Sequence, residues 1–529
     1  MDRIQAYMIQ LWKNITIEPL MVIYYAALNV MELFRTDMKL ERFCRVINNH
    51  TAEECENIHD HENRYILYEA QKQDGIFGIM EYTVGDIVPV IMLLFLSTWS
   101  DRNGRRLVML MPLVGCMAYS FTYFLAAIFT SWSPIILLIG SFLRSLSGSH
   151  MLFLMGAYAY MADLTSHGAR TTRMAVLTAL MSLGSPIGTM LGPVIFNAAD
   201  ETWGQSAGYQ CVFGTATLLF IVTFIITFIV VKDRPMVTNI DEDQTGNCFQ
   251  MGWRNVSGLW NSAFKKRPQN RRMYILVLVA MMLLNICAIP QKLYVWSQIV
   301  LDWDIDDYSP YWSLRSLLAH IMILVLTPLI RNTGIHDCLT AAGSVGLKAI
   351  KTIMMTMVSS PSGAWVLWAT VWMPDGLESL AIRSLLTKVC EPFEVGRMMA
   401  LLAVTEAIWP ILDIFLYTIV YNSTIEYWPS AVYVMSSAFG LLVLALLLWM
   451  RLDMQKNGMD EEFEKAAAKY THMKNESVGD LSKCEQGEDS NNLEEKSSVT
   501  QNISNLIPEI SVKEDVNNQE SNETPTIED

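Results

Sequence analysis

The sequence predicts an all-α membrane protein with twelve transmembrane helices in two six-helix bundles. Three observations carry that expectation. Of 529 residues, 52% are hydrophobic and only 17% are charged, with mean hydropathy +0.27, whereas soluble domains carry about 25% charged residues. Apolar runs recur at close to the ~20 residues that a spanning helix needs. A 41-residue polar connection at 232–272 divides those runs six and six.

Taken in order, the first six spans are expected near 16–36, 77–99, 107–129, 134–161, 173–196 and 209–231. The second six follow near 273–299, 311–330, 336–359, 362–387, 399–421 and 428–450. The chain then divides into a segment 1–15, a bundle 16–231, the connection 232–272, a bundle 273–451 and a tail 452–529. No cleavable signal peptide is expected, because charged and polar residues precede the first run and no small-residue cleavage site follows it. The net charge of −15 belongs mostly to the tail: residues 453–529 hold 19 acidic side chains and 7 lysines. That tail is rich in Ser, Asn and Glu and is expected to be disordered. It has no block of basic residues, so no nucleic-acid partner is expected. Its Tyr470-Thr471-His472-Met473 matches a tyrosine-based sorting tetrapeptide.

Lysine and arginine in short loops set the orientation. The connection after span 2 holds Arg102, Arg105 and Arg106, and that after span 4 holds Arg170 and Arg173. The connection after span 6 adds Lys232, Arg234, Arg254, Lys265, Lys266, Arg267, Arg271 and Arg272. All three lie on one side, expected to be the cytosol, with both termini. The loop 37–75 then faces the exterior or a lumen. It carries the sequon Asn49-His50-Thr51 together with Cys44 and Cys55, which suit that side. His50, His59 and His61 in this loop read as a solvated surface rather than a metal site, and no cofactor is expected.

Two such halves suit a transporter, with its solute site between them near the bilayer midplane. Ionisable residues inside spans are costly and mark function by default. Arg144 and His150 fall in span 4, Asp86 in span 2, Lys292 in span 7, His320 in span 8, and Lys348 and Lys351 in span 9. Glu378 and Arg383 fall in span 10, and Glu406 and Asp413 in span 11. Arg383 can hold a carboxylate or phosphate through two parallel hydrogen bonds. Glu406 can take up a proton; the plainer reading is an ion pair with Arg383. The histidines can titrate near neutral pH or simply donate hydrogen bonds. Gly184, Gly188 and Gly192 share one face of span 5 and allow close helix approach, and Pro193 can kink that helix.

The run Asp101-Arg102-Asn103-Gly104-Arg105-Arg106 resembles the signature loop of the major facilitator superfamily. As a gating latch, Gly104 permits a tight turn, and Asp101 caps a helix or pairs with an arginine across the bundle. The alternative is a solvated turn obeying the charge rule. Arg144 with Gly148 is similar to another facilitator motif. A closer resemblance covers residues 15–450. "ITIEP", "WSDRNGRR", "YMADLTSHGARTTRMAVL" and "IRSLLTKVCEPFEVGRMMALLAVTEAI" look like solute carrier family 46, the family of the proton-coupled folate transporter. By that resemblance Asp101 and Arg383 keep family positions. The family's acids in spans 4 and 5 look like Ser149 and Thr178 here, and its span 7 histidine has no counterpart between 273 and 299. The resemblance implies the family fold without its folate substrate, and proton symport only through other groups. In the family, the loop-1 cysteine bridges to the loop after span 7. That loop has no cysteine here, which leaves a local Cys44–Cys55 bond open.

The expectation is therefore a secondary active transporter of an organic anion, working by alternating access, with proton coupling open. It would sit as a multi-pass protein in the bilayer of the plasma membrane or of a lysosome or endosome. A non-transporting receptor or scaffold is the alternative. An enzyme is not expected, since there is no His-Glu-x-x-His, Gly-x-Ser-x-Gly or P-loop motif. The topology gives a direct prediction. Asn49→Gln expressed in cells should lose a glycosidase-sensitive mobility shift on a gel, whereas Asn255→Gln, on the cytosolic side, should leave it unchanged.

Overall fold

A computed structural model describes residues 17–458, apart from 60, 166–169, 234–256, 258–263, 268–269, 334 and 391–393. The expected tail after 458, its sorting tetrapeptide and most of the 232–272 connection lie outside the described residues. No strand occurs among the described residues.

Span 1 is two stacked helices, α1 (Glu18–Val30) and α2 (Glu32–Arg42). The chain then makes a wide turn through Phe43–Ile47 and a short helix α3 (Ala52–Glu56). Thr51 opens α3 with a capping box: its backbone N–H donates to Glu54 Oε2 at 3.0 Å and its hydroxyl accepts from the Glu54 N–H at 3.3 Å. Cys44 and Cys55 form a disulfide with Cα atoms 5.8 Å apart, and Asn49 stands exposed between them at φ +57°. This cap closes one end of the molecule.

Span 2 is one helix, α4 (Arg64–Asn103), of 40 residues. It begins well before 77 because Ile66, Leu67, Ala70 and Phe77 form a buried helical stripe. At 1.5 Å per residue it is about 60 Å long, twice a ~30 Å hydrocarbon core. The loop expected at 37–75 is therefore largely helical, and Asp86 lies in mid-helix. α5 (Arg106–Ile128), α8 (Arg170–Trp203) and α9 (Gln205–Val230) complete the simple spans of this half.

Span 4, expected as one helix, is broken into α6 (Leu137–Leu146) and α7 (Ser149–Leu164). Gly148 and Ser149 both adopt positive φ, +93° and +55°, a region open to glycine and costly for serine. Span 7 is broken into α10 (Arg271–Cys287) and α11 (Leu293–Val300) around Pro290, which has no N–H to donate. Span 10 is broken into α14 (Ala364–Thr370) and α15 (Leu377–Val389), with Gly376 at φ +95°. The remaining helices are α12 (Ile305–Thr333), α13 (Asp337–Thr356), α16 (Val395–Thr424) and α17 (Ala431–Lys456). Among the described residues, nine helices are long and apolar enough to cross a membrane. Spans 1, 7 and 10, each in two pieces, are consistent with twelve.

α8 packs along α1 through the glycine stripe. A β-carbon at Gly184 would lie 2.6 Å from the Val22 carbonyl, and one at Gly192 2.7 Å from that of Val30. One at Gly188 would strike the Ala26 carbonyl. Pro186 and Pro193 lie inside α8, which nevertheless runs on to Trp203. Because backbone atoms cannot swing aside, Gly188→Ala should destabilise by about 1–3 kcal/mol, the usual cost of overpacking. Thermal unfolding in detergent should show a lower Tm for Gly188→Ala. Gly343→Ala, where a β-carbon meets nothing within 4 Å, should hold or raise it.

Candidate functional site

At the cap end the two halves are tied together. Arg64 on α4 donates to Asp302 Oδ1 at 2.6 Å and to the Ile299 carbonyl at 2.8 Å. Gln71 donates to Gln298 Oε1 at 3.0 Å and accepts from the Tyr421 hydroxyl at 2.9 Å. Asp37 accepts from the Tyr294 hydroxyl at 2.7 Å and from Gln298 at 3.0 Å. Asn197 reaches both oxygens of Asp306 at 2.9 and 3.0 Å. A cavity of about 120 Å³ remains between Asp37, His59 and Asp306; ligand pockets are usually several times larger, so it is a gap in this seal. The conformer is closed at the cap end.

At the opposite end the ion pairs run inside one half. Arg105 Nε meets Asp163 Oδ2 at 2.9 Å, and its Nη1 donates to Ser100 Oγ at 3.0 Å. Gly104 turns at φ +100° against the Asp233 carboxylate, which accepts the Arg106 N–H at 3.0 Å. The Arg106 guanidinium lies 4.0 Å over the Phe228 ring. Asp101 and Arg102 stand in the last turn of α4, with their side chains outside the described residues. Arg173 pairs with Glu18 at 2.8 Å. In the other half, Lys388 pairs with Asp337 at 2.7 Å, and Glu394 is held by Arg267 at 2.7 Å and Lys265 at 3.1 Å. Burial pushes the Glu394 carboxyl up, but those hydrogen bonds outweigh it and hold it below its ordinary range.

Between the two ends lie the remaining candidates. Arg383 on α15 donates one nitrogen to both oxygens of Glu406 on α16, at 2.6 and 2.7 Å. The arginine side chain is one-third exposed, so the pair is accessible rather than sealed in. Arg144 lies 4.5 Å over the Tyr119 ring. His150 Nδ1 is 3.4 Å from Ser149 Oγ at the break in span 4. His320 is exposed and its Nδ1 meets the Ser316 carbonyl of its own helix at 2.7 Å. Lys292 lies in the break of span 7, at the residue before α11, and faces Asp74 and Lys39 of the other half. Asp413 on α16 is 1% exposed and neither carboxylate oxygen has a hydrogen-bond partner. Thr178, at the family's acidic position, bonds the Tyr158 hydroxyl at 2.9 Å.

Two buried charge networks escaped the sequence reading in whole or part. In the first half, Lys39 bridges Asp74 at 2.8 Å and Glu81 at 3.4 Å. Glu81 also accepts from Tyr119 at 2.9 Å and Ser141 at 3.2 Å, with Arg35 at 3.7 Å. In the second, Asp375 takes Lys351 at 2.5 Å and Arg315 at 3.2 Å, while Glu378 takes Lys348 at 3.2 Å and the Ser344 hydroxyl at 2.6 Å. Arg35 and Glu81 lie inside expected spans and a stricter census of charge would have found them. Lys39 and Asp74 lay beyond the expected helix ends.

Comparison with known proteins agrees with this architecture. Residues 82–412 match the family model described as Major Facilitator Superfamily. The lysosomal proton-coupled steroid conjugate and bile acid symporter of Gallus gallus is 21% identical over 462 residues, covering 83% of this chain and 94% of that protein. A probable peptidoglycan muropeptide transporter of Drosophila melanogaster is 20% identical, covering 68% and 70%. The proton-coupled folate transporter of Rattus norvegicus is 23% identical over 209 residues, covering 39% and 43%. Among solved structures, a D-xylose-proton symporter superposes with TM-score 0.57 at 12% identity, covering 81% of this chain and 96% of that one. The peptide transporter POT in complex with sulfate gives 0.53 at 13%, covering 84% and 95%. These last two speak to the fold alone. The chain is a membrane transporter that belongs to the major facilitator superfamily, and the curated relatives it resembles include members of solute carrier family 46.

Proposed function

We propose that the protein moves an organic anion across its membrane by alternating access, in symport with protons. The observation that carries the reading is the accessible Arg383–Glu406 pair. A guanidinium engaged by a carboxylate on the neighbouring helix is set to exchange that carboxylate for one on a solute. Glu406 keeps the arginine satisfied when no solute is present, which avoids stranding a charge in the bundle. Replacement of the two family acids by Ser149 and the Tyr158-bonded Thr178 makes the first half less acidic, and Arg144 adds positive charge there. That balance favours anions through charge-assisted hydrogen bonds. The printed activity of the Gallus gallus relative, on steroid conjugates and bile acids with proton coupling, points the same way and suggests a lysosomal membrane. The arginine-rich connections support a cytosolic latch end, so the cap-closed conformer is the one that faces the cytosol.

The test is uptake into proteoliposomes at pH 5.5 and 7.5, competed by matched anionic, neutral and cationic solutes. Anions should compete best. Arg383→Lys should raise the half-saturating concentration about tenfold or more, since a hydrogen bond to a charged group contributes about 1.5–3 kcal/mol and lysine cannot present the planar fork. Preference for a cation, or full activity in Arg383→Ala, contradicts the reading.

A further inference from the structure

The break in span 7 is held by side chains from three other helices. The Tyr417 hydroxyl donates to the Cys287 carbonyl at 2.7 Å, the Ser436 hydroxyl to that of Ala288 at 2.6 Å, and Lys348 to that of Asn285 at 3.3 Å. Trp409 Nε1 lies 2.8 Å from Cys287 Sγ. Against this seam, between Trp409 and Tyr417 on α16, sits Asp413, buried and with both oxygens unpartnered. The polar groups nearest it are the Cys287 thiol and the Gln291 amide, which can donate weakly to it but bring no charge.

The titratable and charged groups on the packed elements offer it no counter-charge. On its own helix, Glu406 two turns away is engaged with Arg383 of α15, and Tyr417 is spent on Cys287. On α13, Lys348 serves Asn285 and Glu378. On α4, Asp86 lies in the field of Arg144 and Glu81. On α17, the Ser436 hydroxyl at the seam is already donated, and Tyr433 packs edge-on against Trp296 of α11. An ionised carboxylate enclosed without a counter-charge is strongly disfavoured; a protonated one needs far less. Of the histidines in the spans, His320 is exposed and engages the Ser316 carbonyl of its own helix, and His150 engages Ser149.

We propose that Asp413 carries the coupled proton and is neutral in the cap-closed conformer. This rests on the transporter reading and names its ion site. One proton leaves water on the cap side, joins a carboxylate oxygen of Asp413, and returns to water at the latch end; only O–H bonds form and break. Release of the proton to the latch side from the cap-closed conformer leaves a charged carboxylate and favours return to the cap-open conformer, in which the α10–α16 seam opens and water from the cap side reaches Asp413.

The experiment measures distance between spin labels at Trp203→Cys and Tyr427→Cys, exposed positions at the cap end of each half. Cys211, Cys248 and Cys484 are changed to serine, and the pH is stepped from 8 to 5. The wild-type distance should shorten on acidification. Asp413→Asn should stay short throughout, and Asp413→Glu should keep the response with a displaced midpoint. Proteoliposomes carrying an internal pH dye, given taurocholate, should show coupled acidification that Asp413→Asn abolishes. An Asn variant that follows the wild type, or a wild-type distance indifferent to pH, overturns the proposal. Should the Asn variant fail to fold, an unmoved midpoint in Asp413→Glu overturns it instead. Absence of taurocholate transport with the Asp413-dependent distance change intact removes the anion reading and leaves the proton site standing.

Discussion

A helix interrupted inside a bilayer frees peptide groups that no lipid can satisfy, and this constraint organises the second half of the molecule. Each buried carbonyl left without a donor would cost about 1–3 kcal/mol. Span 7 is broken at Pro290, and its orphaned carbonyls at Asn285, Cys287 and Ala288 draw in Lys348, Tyr417 and Ser436. Span 10 is broken before Gly376, whose N–H goes to Glu378, itself tied to Lys348. One lysine thus links both interruptions. The broken helices are not loose ends but the points at which spans 7, 9, 10, 11 and 12 are fastened together.

The two halves meet similar demands with different chemistry. Each has an αL glycine in its fourth span, Gly148 and Gly376, at φ +93° and +95°. Each has an ion pair joining the start of its third span to the end of its fourth, at the end opposite the cap. In the first half the third span supplies the cation, as Arg105 with Asp163; in the second it supplies the anion, as Asp337 with Lys388. The charges are reversed while the positions correspond. Such pairs contribute modestly to stability where exposed, so their value lies in fixing how the helix ends register.

The spans were legible because hydrophobicity, turn signals and loop charge all act locally. Helix ends were not. The expected starts and stops followed bilayer thickness, whereas α2 and α4 continue past it because Leu40, Ile66 and Leu67 bury against the cap. That extension concealed Lys39 and Asp74. The breaks were only partly legible. Pro290 interrupts span 7, but Pro186 and Pro193 pass through α8 without ending it; the difference depends on which neighbours can service the freed groups, and no local signal reports that. The same holds for Arg383 and Glu406: their residue types suggested both a solute site and an ion pair, and only their approach across two helices joins the readings.

The length of α4 has a mechanical meaning. A rod about 60 Å long that runs from the Gly104 turn to the disulfide-bonded cap makes both ends parts of one lever. Any tilt that loosens the turn must swing the cap, and with it Arg64 and Gln71, away from Asp302 and Gln298. Asn49 rides on the moving arm. A binder that spans the cap and the opposing α11 would therefore act as a brake on the whole cycle without entering the solute path.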